Sequence, residues 1–125
     1  MLETYRAYAT LPVQDLARAR AFYEEKLGLK PTDERPDGLV YELGEGDRFL
    51  LFPSSGQSNG SHTQFGWQVD DLENVVSQLR SNGLVFEEYD MPGFKTENGI
   101  AVIDGEKGAW FKDSEGNLLA IGQES

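Results

Sequence analysis

The stretch VQDLARARAFYEEKLGL, residues 13–29, gives the clearest indication of the fold. The apolar side chains that recur there at the spacing of one helix face are Leu16, Ala19, Tyr23 and Leu27. Asp15 precedes them as a suitable N-cap, and Gly28 follows them where helices often end in the left-handed conformation. The pattern predicts a helix over residues 16–28 that follows directly on a strand, YRAYATLPV at 5–13.

The same pattern occurs a second time, about 56 residues further along the chain. The matching pairs are VQDL at 13–16 with VDDL at 69–72, and KLGL at 26–29 with SNGL at 81–84. The second copy predicts a helix over residues 72–83, with Asp70 or Asp71 as its N-cap and Gly83 at its end. Its buried stripe is predicted to consist of Leu72, Val75, Val76 and Leu79. A repeat of this length indicates two copies of one structural unit.

Strand candidates surround both helices. In the first copy they are KPTDER at 30–35, GLVYELG at 38–44 and RFLLFP at 48–53. In the second copy they are TQFGWQV at 63–69 before the helix, then LVFEEY at 84–89, GIAVIDG at 99–105, GAWFKD at 108–113 and NLLAIG at 117–122. The sequence therefore predicts one α+β domain of two tandem βαβββ modules, about 1–56 and about 62–125.

The second copy is longer than the first at one place. Gly46 and Gly116, in the turns before the last strands, are 70 residues apart, about 15 more than the spacing at the helix ends. The surplus falls around YDMPGFKTENG at 89–99, a stretch with a proline, two glycines and Phe94. Two interpretations remain open, since such a stretch is either a tolerated surface insertion or a flap over a pocket.

Composition excludes several classes of site and partner. The chain has no cysteine and one histidine, His62, which excludes disulfides, thiolate metal sites and sites that need several imidazoles from one chain. Its formal net charge of −11 repels phosphate backbones and anionic lipid, so neither nucleic acid nor membrane is an expected partner. The charge would attract cationic small molecules, although it is also typical of proteins that are simply soluble. No apolar run approaches the length of a membrane span, so we expect a cytoplasmic protein.

Taken together, the two helix stretches and the closing segment GAWFKDSEGNLLAI at 108–121 resemble the vicinal oxygen chelate superfamily. That superfamily includes glyoxalase I, extradiol dioxygenases and the bleomycin resistance proteins. The closing segment is similar to the family's F-x-D-P-x-G-N pattern, with Ser114 in place of the proline. The resemblance implies eight strands in two curled sheets around a shared cup, with the helices outside. It also implies a homodimer, formed side by side or by exchange of modules.

Enzymes of this superfamily hold a divalent metal through side chains on the strands. The resemblance places those ligand positions at Tyr8, Leu50, Gln64 and Ala120. Leucine and alanine have no donor atom, and a tyrosine coordinates well only after its phenol ionises. The resemblance therefore implies a chain without a metal or other cofactor. One alternative remains, a site made of His62 and Gln64 with one acid, for which the candidates are Glu42 and Glu97.

Strand alternation extends these positions to a whole cup lining. The residues predicted to line a ligand-binding cup are Tyr8, Thr10, Tyr41, Leu50, Phe52, Gln64, Gln68, Phe94, Trp110 and Ala120. Apolar and aromatic side chains with a few amides and hydroxyls suit a bound organic ligand. The alternative is that these side chains close the cup as ordinary core.

Two functions agree with these observations. The first is a metal-free protein that binds a cationic or aromatic small molecule without modifying it, as the resemblance to bleomycin resistance proteins implies. The second is a glyoxalase- or dioxygenase-like lyase, isomerase or oxygenase, with a displaced metal or an acid–base mechanism that uses Tyr8 or an acid in the cup. A serine triad has little support, because the chain has no G-x-S-x-G motif and only one histidine.

Overall fold

The computed structural model describes all 125 residues as a pair of modules. Module one contains β1 (Ala9–Val13), α1 (Leu16–Leu27), β2 (Asp33–Arg35), β3 (Gly38–Leu43) and β4 (Asp47–Pro53). Module two contains β5 (Phe65–Gln68), α2 (Leu72–Ser81), β6 (Asp90–Met91), β7 (Phe94–Lys95), β8 (Ile100–Ile103), β9 (Glu106–Lys112) and β10 (Leu118–Gln123). A short 3-10 helix, Leu2–Thr4, precedes β1. None of the helices is long and apolar enough to cross a membrane.

Each module forms one four-stranded sheet, and the two sheets have the same topology. Their strand orders are β1-β4-β3-β2 and β5-β10-β9-β8. In each sheet the first strand runs parallel to the last, and the other neighbours are antiparallel. Ala9 pairs with Phe49 in module one as Phe65 pairs with Leu119 in module two, so the registers also correspond. The predicted α+β fold with two related units is confirmed.

Local interactions start and stop the helices close to where the sequence predicts. Asp15 accepts a hydrogen bond from a backbone N–H in the first turn of α1 at 3.0 Å. Asp71, rather than Asp70, does the same for α2 at 3.2 Å. Gly28 ends α1 in the left-handed conformation, with φ of 70°, which glycine adopts without strain. The choice between the two acids before α2 is thereby settled.

The sides of the two sheets that face the helices share one hydrophobic core. Alternate strand positions such as Leu11 and Val13 are buried in it, as period-two alternation predicts. Aromatic contacts cross between the modules, because the ring centroid of Phe49 lies 5.2 Å from Phe65 and 6.3 Å from Trp67. The opposite faces of both sheets therefore point away from the core, and these outer faces carry Thr10, Leu50, Trp110 and Ala120 among the positions predicted for the cup.

The turn of module two, residues 113–117, packs against the start of α1. The carboxylate of Glu115 accepts hydrogen bonds from the backbone N–H groups of Gln14 and Asp15 at 2.9 and 3.0 Å. It accepts two more from the guanidinium of Arg18, at 2.8 and 2.9 Å, although its own side chain is fully buried. The Arg18 guanidinium, more than any other donor, lowers the pKa of Glu115 to about 2.

Two further hydrogen bonds connect the modules at this place. The hydroxyl of Tyr23 donates to Asp113 at 2.7 Å, and the side-chain amide of Asn117 donates to the backbone carbonyl of Pro12 at 3.0 Å. Burial and, after it, the Asp113 carboxylate raise the pKa of Tyr23 well above its ordinary value. We call this contact, residues 113–117 with the start of α1 and Tyr23, the polar junction.

One predicted strand is wrong. Residues 84–89 form no strand: the N–H of Glu87 donates to the backbone carbonyl of Trp110 at 2.8 Å, but a side chain takes the N–H of Tyr89. The hydroxyl of Thr96 accepts from the N–H of Tyr89 at 2.8 Å and donates to the carboxylate of Glu88 at 2.7 Å. The stretch predicted as a loop or flap, 89–99, contains a small hairpin of β6 and β7 instead of a plain loop.

Candidate functional site

A cavity of about 440 Å³ opens on the outer face of the module-two sheet. Phe111 and Ile121, which alternate with outward-facing residues of β9 and β10, are buried in the core. The cavity brings together four residues predicted for the cup, from four separate strands: Gln68, Phe94, Trp110 and Ala120. We call it the module-two half-cup.

Two aromatic rings, Phe94 and Trp110, form one side of the module-two half-cup, and the ring of Tyr89 packs against both of them. The rings of Phe94 and Trp110 have centroids 5.2 Å apart at 65°, and Tyr89 lies 5.5 Å from Phe94 and 5.9 Å from Trp110. The β6–β7 hairpin supplies Phe94, so the insertion contributes directly to this wall. Rings held in mutual edge contact present a firm apolar surface that suits planar and cationic groups.

Glycines make room in the module-two half-cup. A Cβ on Gly66 would lie 3.2 Å from the carbonyl oxygen of Ala120, and one on Gly108 would lie 2.9 Å from the indole of Trp110. These glycines were not predicted as site residues, although a glycine inside a strand is a recognisable sign of close approach. The other lining residues that sequence reasoning missed are Trp67, Ala101, Ile103, Glu106, Lys107, Ile121 and Gly122.

A second cavity, of about 510 Å³, lies on the outer face of the module-one sheet. Thr10, Leu50 and Phe52, all predicted for the cup, line it together with Pro36 and Asp37. It shares no lining residue with the module-two half-cup. We call it the module-one half-cup, because seven of the ten predicted cup residues are divided between these two cavities within one chain.

Tyr8 lies at a third cavity, of about 640 Å³, together with Arg48, Gly66 and Gln68. Tyr8 precedes the first residue of β1 and is 58 % exposed. Gly66 and Gln68 line both this cavity and the module-two half-cup, so Tyr8 borders the rim of that half-cup.

Tyr41 does not face either half-cup. It is 1 % exposed on the helix side of the sheet, where its ring stacks on Phe49 with centroids 4.7 Å apart. The pairing of β3 with β4 sets Tyr41 against Phe49 and Val40 against Leu50, so Val40 shares the outer face of Leu50. Burial raises the pKa of Tyr41 to about 12. On β3 the cup prediction was therefore wrong by one residue, since Val40 and not Tyr41 lies on the outer face.

Gln64 holds the start of β5 in place. Its amide oxygen accepts from the hydroxyl of Ser58 and from the backbone N–H of Leu118, and its amide nitrogen donates to Asn117 at 2.9 Å. Both ends of the side chain are thus used within the protein. The residue fastens β5 to the turn of module two rather than offering a free donor to a ligand.

The positions at which the resemblance places metal ligands do not fit a metal ion. Leu50 and Ala120 offer only hydrocarbon, and the amide oxygen of Gln64 already accepts two hydrogen bonds. No group of three or more His, Cys, Asp and Glu side chains is arranged to hold an ion. His62 is exposed beside Ser61. The chemistry of these residues suits contact with an organic molecule better than chelation.

Comparison with known proteins places these features in a family. A sequence model of the Glyoxalase/Bleomycin resistance protein/Dioxygenase superfamily matches residues 6–121. A bleomycin-binding protein complexed with bleomycin is similar in structure, with a TM-score of 0.71 and 22 % identity over 97 % of this chain and 99 % of that one. A glyoxalase/bleomycin resistance protein from Catenulispora acidiphila gives a TM-score of 0.69 and 22 % identity over 96 % and 98 % of the two chains. At such identities the likeness shows the fold, and a search of curated proteins found no match.

Proposed function

The chain belongs to the Glyoxalase/Bleomycin resistance protein/Dioxygenase superfamily, and we propose that it binds a small organic molecule against its half-cups without the help of a metal ion. The observation that carries the proposal is the aromatic wall of Phe94 and Trp110 beside Ala120 in a cavity of about 440 Å³. Where the resemblance implies a metal-binding carboxylate, this chain has the methyl group of Ala120. A ligand there meets hydrocarbon and ring surfaces.

A homodimer completes the site in this proposal. The two half-cups of one chain share no residue, and each opens outward. A two-fold axis would set the module-one half-cup of one protomer over the module-two half-cup of its partner, which gives two equivalent sites. Each complete cup would then combine Thr10, Leu50 and Phe52 of one protomer with Gln68, Phe94 and Trp110 of the other.

The proposed ligand is a cationic aromatic compound. The rings of Phe94 and Trp110 line the module-two half-cup, and a cation over the face of such a ring gains about 0.5–2 kcal/mol. Lys107, the one basic residue in the lining, is paired with Glu73 at 2.8 Å, so its charge is compensated. The net charge of −11 favours the approach of cations and disfavours anions.

Calorimetric titration tests the ligand class with planar aromatic compounds of equal size that are cationic, neutral or anionic. We expect the cationic members to bind best and, in a separate thermal denaturation, to raise the melting temperature most. Trp110→Ala should weaken their binding at least tenfold, whereas Tyr5→Ala, an exposed tyrosine outside both half-cups, should leave it unchanged. Equal binding of cations and anions would contradict the charge preference, and unchanged binding by Trp110→Ala would contradict the site.

Two more measurements separate a binder from an enzyme. Elemental analysis of the purified protein should find no stoichiometric divalent metal, and one metal ion per chain would overturn the metal-free proposal. Mass spectrometry of ligand recovered after long incubation should find it unmodified. Conversion over many turnovers would favour the alternative, a lyase, isomerase or oxygenase in which Tyr8 or an acid in the cup transfers protons.

A further inference from the structure

We propose that the chain has a second ligand site, on the helix side of its sheets, which binds a small uncharged aromatic molecule. A cavity of about 320 Å³ lies there between α2, the end of α1 and the end of the β3–β4 hairpin, which consists of the turn 44–46 and the flanking residues Leu43 and Asp47. Its lining consists of Leu27, Leu29, Leu43, Gly44, Trp67, Val69, Val75, Leu79, Phe111 and Ile121. We call this region the apolar junction. It has only Trp67 and Ile121 in common with the module-two half-cup and nothing in common with the other half-cup.

The internal repeat shows what this cavity lacks. Helix positions correspond at a spacing of 56 residues and the last strands at 70, so Leu79 corresponds to Tyr23 and Leu43 to Asp113. At the polar junction the fully buried ring of Tyr23 lies 5.7 Å from the ring of Tyr41, and its hydroxyl donates to Asp113. At the apolar junction leucines stand in both places. The cavity therefore lies where module one has the ring of Tyr23 and module two has the smaller side chain of Leu79.

The walls that would receive such a ring are present in module two. At the same spacing of 70 residues, Phe111 takes the place of Tyr41 and Ile121 that of Leu51. The ring of Trp67 stacks near Phe111, with centroids 6.3 Å apart at 17°. A free aromatic molecule can occupy the place that the Tyr23 ring fills in the other module, in contact with the same kinds of side chain.

Charge and size restrict the occupant further. The lining contains no ionisable side chain, so a charged ligand would lose its hydration and gain no partner. A protein segment is equally unsuited, because its backbone groups would find no side-chain partner there. The volume of about 320 Å³ exceeds the roughly 150 Å³ of an apolar cavity that holds benzene. One substituted ring or two fused rings therefore match the space.

The test uses p-xylene as the probe, with NMR spectra of the methyl-labelled wild-type protein. We expect saturable shifts of the methyl resonances of Leu43, Val75 and Leu79, with no comparable shift at Leu50 in the module-one half-cup. The charged analogues 4-methylbenzoate and 4-methylbenzylammonium should bind these residues at least tenfold more weakly. An absence of shifts with p-xylene, or equal binding of the charged analogues, would overturn the proposal.

Two variants separate this site from the half-cups. Leu79→Phe supplies a ring from the protein itself and should weaken p-xylene binding at least tenfold while leaving the binding of cup ligands unchanged. If Leu79→Phe does not fold, Val75→Phe, at another residue of the same lining, serves as the test variant. Phe94→Ala is the matched control, since it removes part of the module-two half-cup and should leave p-xylene binding unchanged. Loss of p-xylene binding by Phe94→Ala would place the probe in the half-cup and refute the second site. If cationic aromatic compounds fail to bind the half-cups while p-xylene still binds the apolar junction, the proposed function is refuted and the second site is not.

Discussion

The two places where a turn of one module meets a helix of the other share a backbone plan and differ in chemistry. At the polar junction four long-range hydrogen bonds converge on the buried carboxylate of Glu115. At the apolar junction the corresponding acid, Glu45, is exposed, and Leu43 and Leu79 border a cavity of about 320 Å³. The repeat has kept strand register and helix position while the side chains at the two ends diverged.

The difference indicates a division of roles between the junctions. Hydrogen bonds are directional, so the bonds from the start of α1 to Glu115 define one arrangement of the two modules. Apolar contact is non-directional and tolerates adjustment. We therefore expect the polar junction to hold the modules together and the apolar junction to accept a guest with little change elsewhere.

Glu115→Ala should have the largest effect on stability of the substitutions that compare the two junctions. It removes a fully buried carboxylate that accepts four hydrogen bonds from Gln14, Asp15 and Arg18, so we expect a loss of roughly 3–5 kcal/mol in the free energy of unfolding. Glu45→Ala, at the corresponding exposed position, is the matched control and should change that free energy by less than about 0.5 kcal/mol. Urea denaturation followed by circular dichroism measures both. Similar losses in the two variants would contradict the asymmetry between the junctions.

Tyr23→Leu makes the polar junction resemble the apolar one. It removes a fully buried ring that packs on Tyr41 and deprives Asp113 of a donor, so we expect a loss of roughly 2–4 kcal/mol in the free energy of unfolding. Tyr23→Phe keeps the ring and should lose only about 1 kcal/mol. The same denaturation experiment compares them. If both variants lost equally, ring packing would not be what closes this junction.

The stability of the polar junction should depend on pH. Pairing with Arg18 holds the pKa of Glu115 at about 2, below its ordinary 4.5. The ionised carboxylate therefore stabilises the folded state fully above pH 4.5, and this contribution is lost as the pH falls from 4.5 towards 2. Glu115→Gln should cost about 2 kcal/mol at neutral pH, and its difference from the wild type should shrink across that window. Denaturation curves at a series of acidic pH values measure this, and a difference that stays constant with pH would contradict the assignment.

Most of the fold was predictable because local spacing determines it. The cap Asp15, the choice of Asp70 or Asp71 before α2 and the burial of Leu11 follow from patterns that act within a few residues. The failure at residues 84–89 concerns a stretch whose apolar pattern resembles a strand, while the hydroxyl of Thr96 takes the N–H of Tyr89 at its end. Such capture leaves no trace in a hydrophobic period.

For the candidate site, the sequence predicts which residues face outward from the sheets, but not which of them share a cavity. Thr10, Leu50 and Ala120 lie on the outer faces, as alternation indicates, but alternation does not tell which faces of two modules meet. Here the helix sides meet in one core, so the half-cups are separated within the chain. Tyr41 was misplaced because register across strands cannot be read from one strand. The apolar cavity was not predicted, because a hydrophobic period marks Leu79 as facing the core without showing what packs against it.

The smallest effect gives the sharpest test of how far the two junctions correspond. Leu79→Tyr with Leu43→Asp places the Tyr23–Asp113 pair at the corresponding positions of the apolar junction. Alone, Leu43→Asp should lose about 1–2 kcal/mol, because its carboxylate gains no partner, and Leu79→Tyr should change stability by less than about 1 kcal/mol. Together they should show a favourable coupling of about 1 kcal/mol, since the new hydroxyl can donate to the new carboxylate. A double-mutant cycle in urea measures the coupling. Strictly additive losses would limit the correspondence of the two junctions to the backbone. A favourable coupling would show that the apolar cavity is the space of a tyrosine that module two does not have.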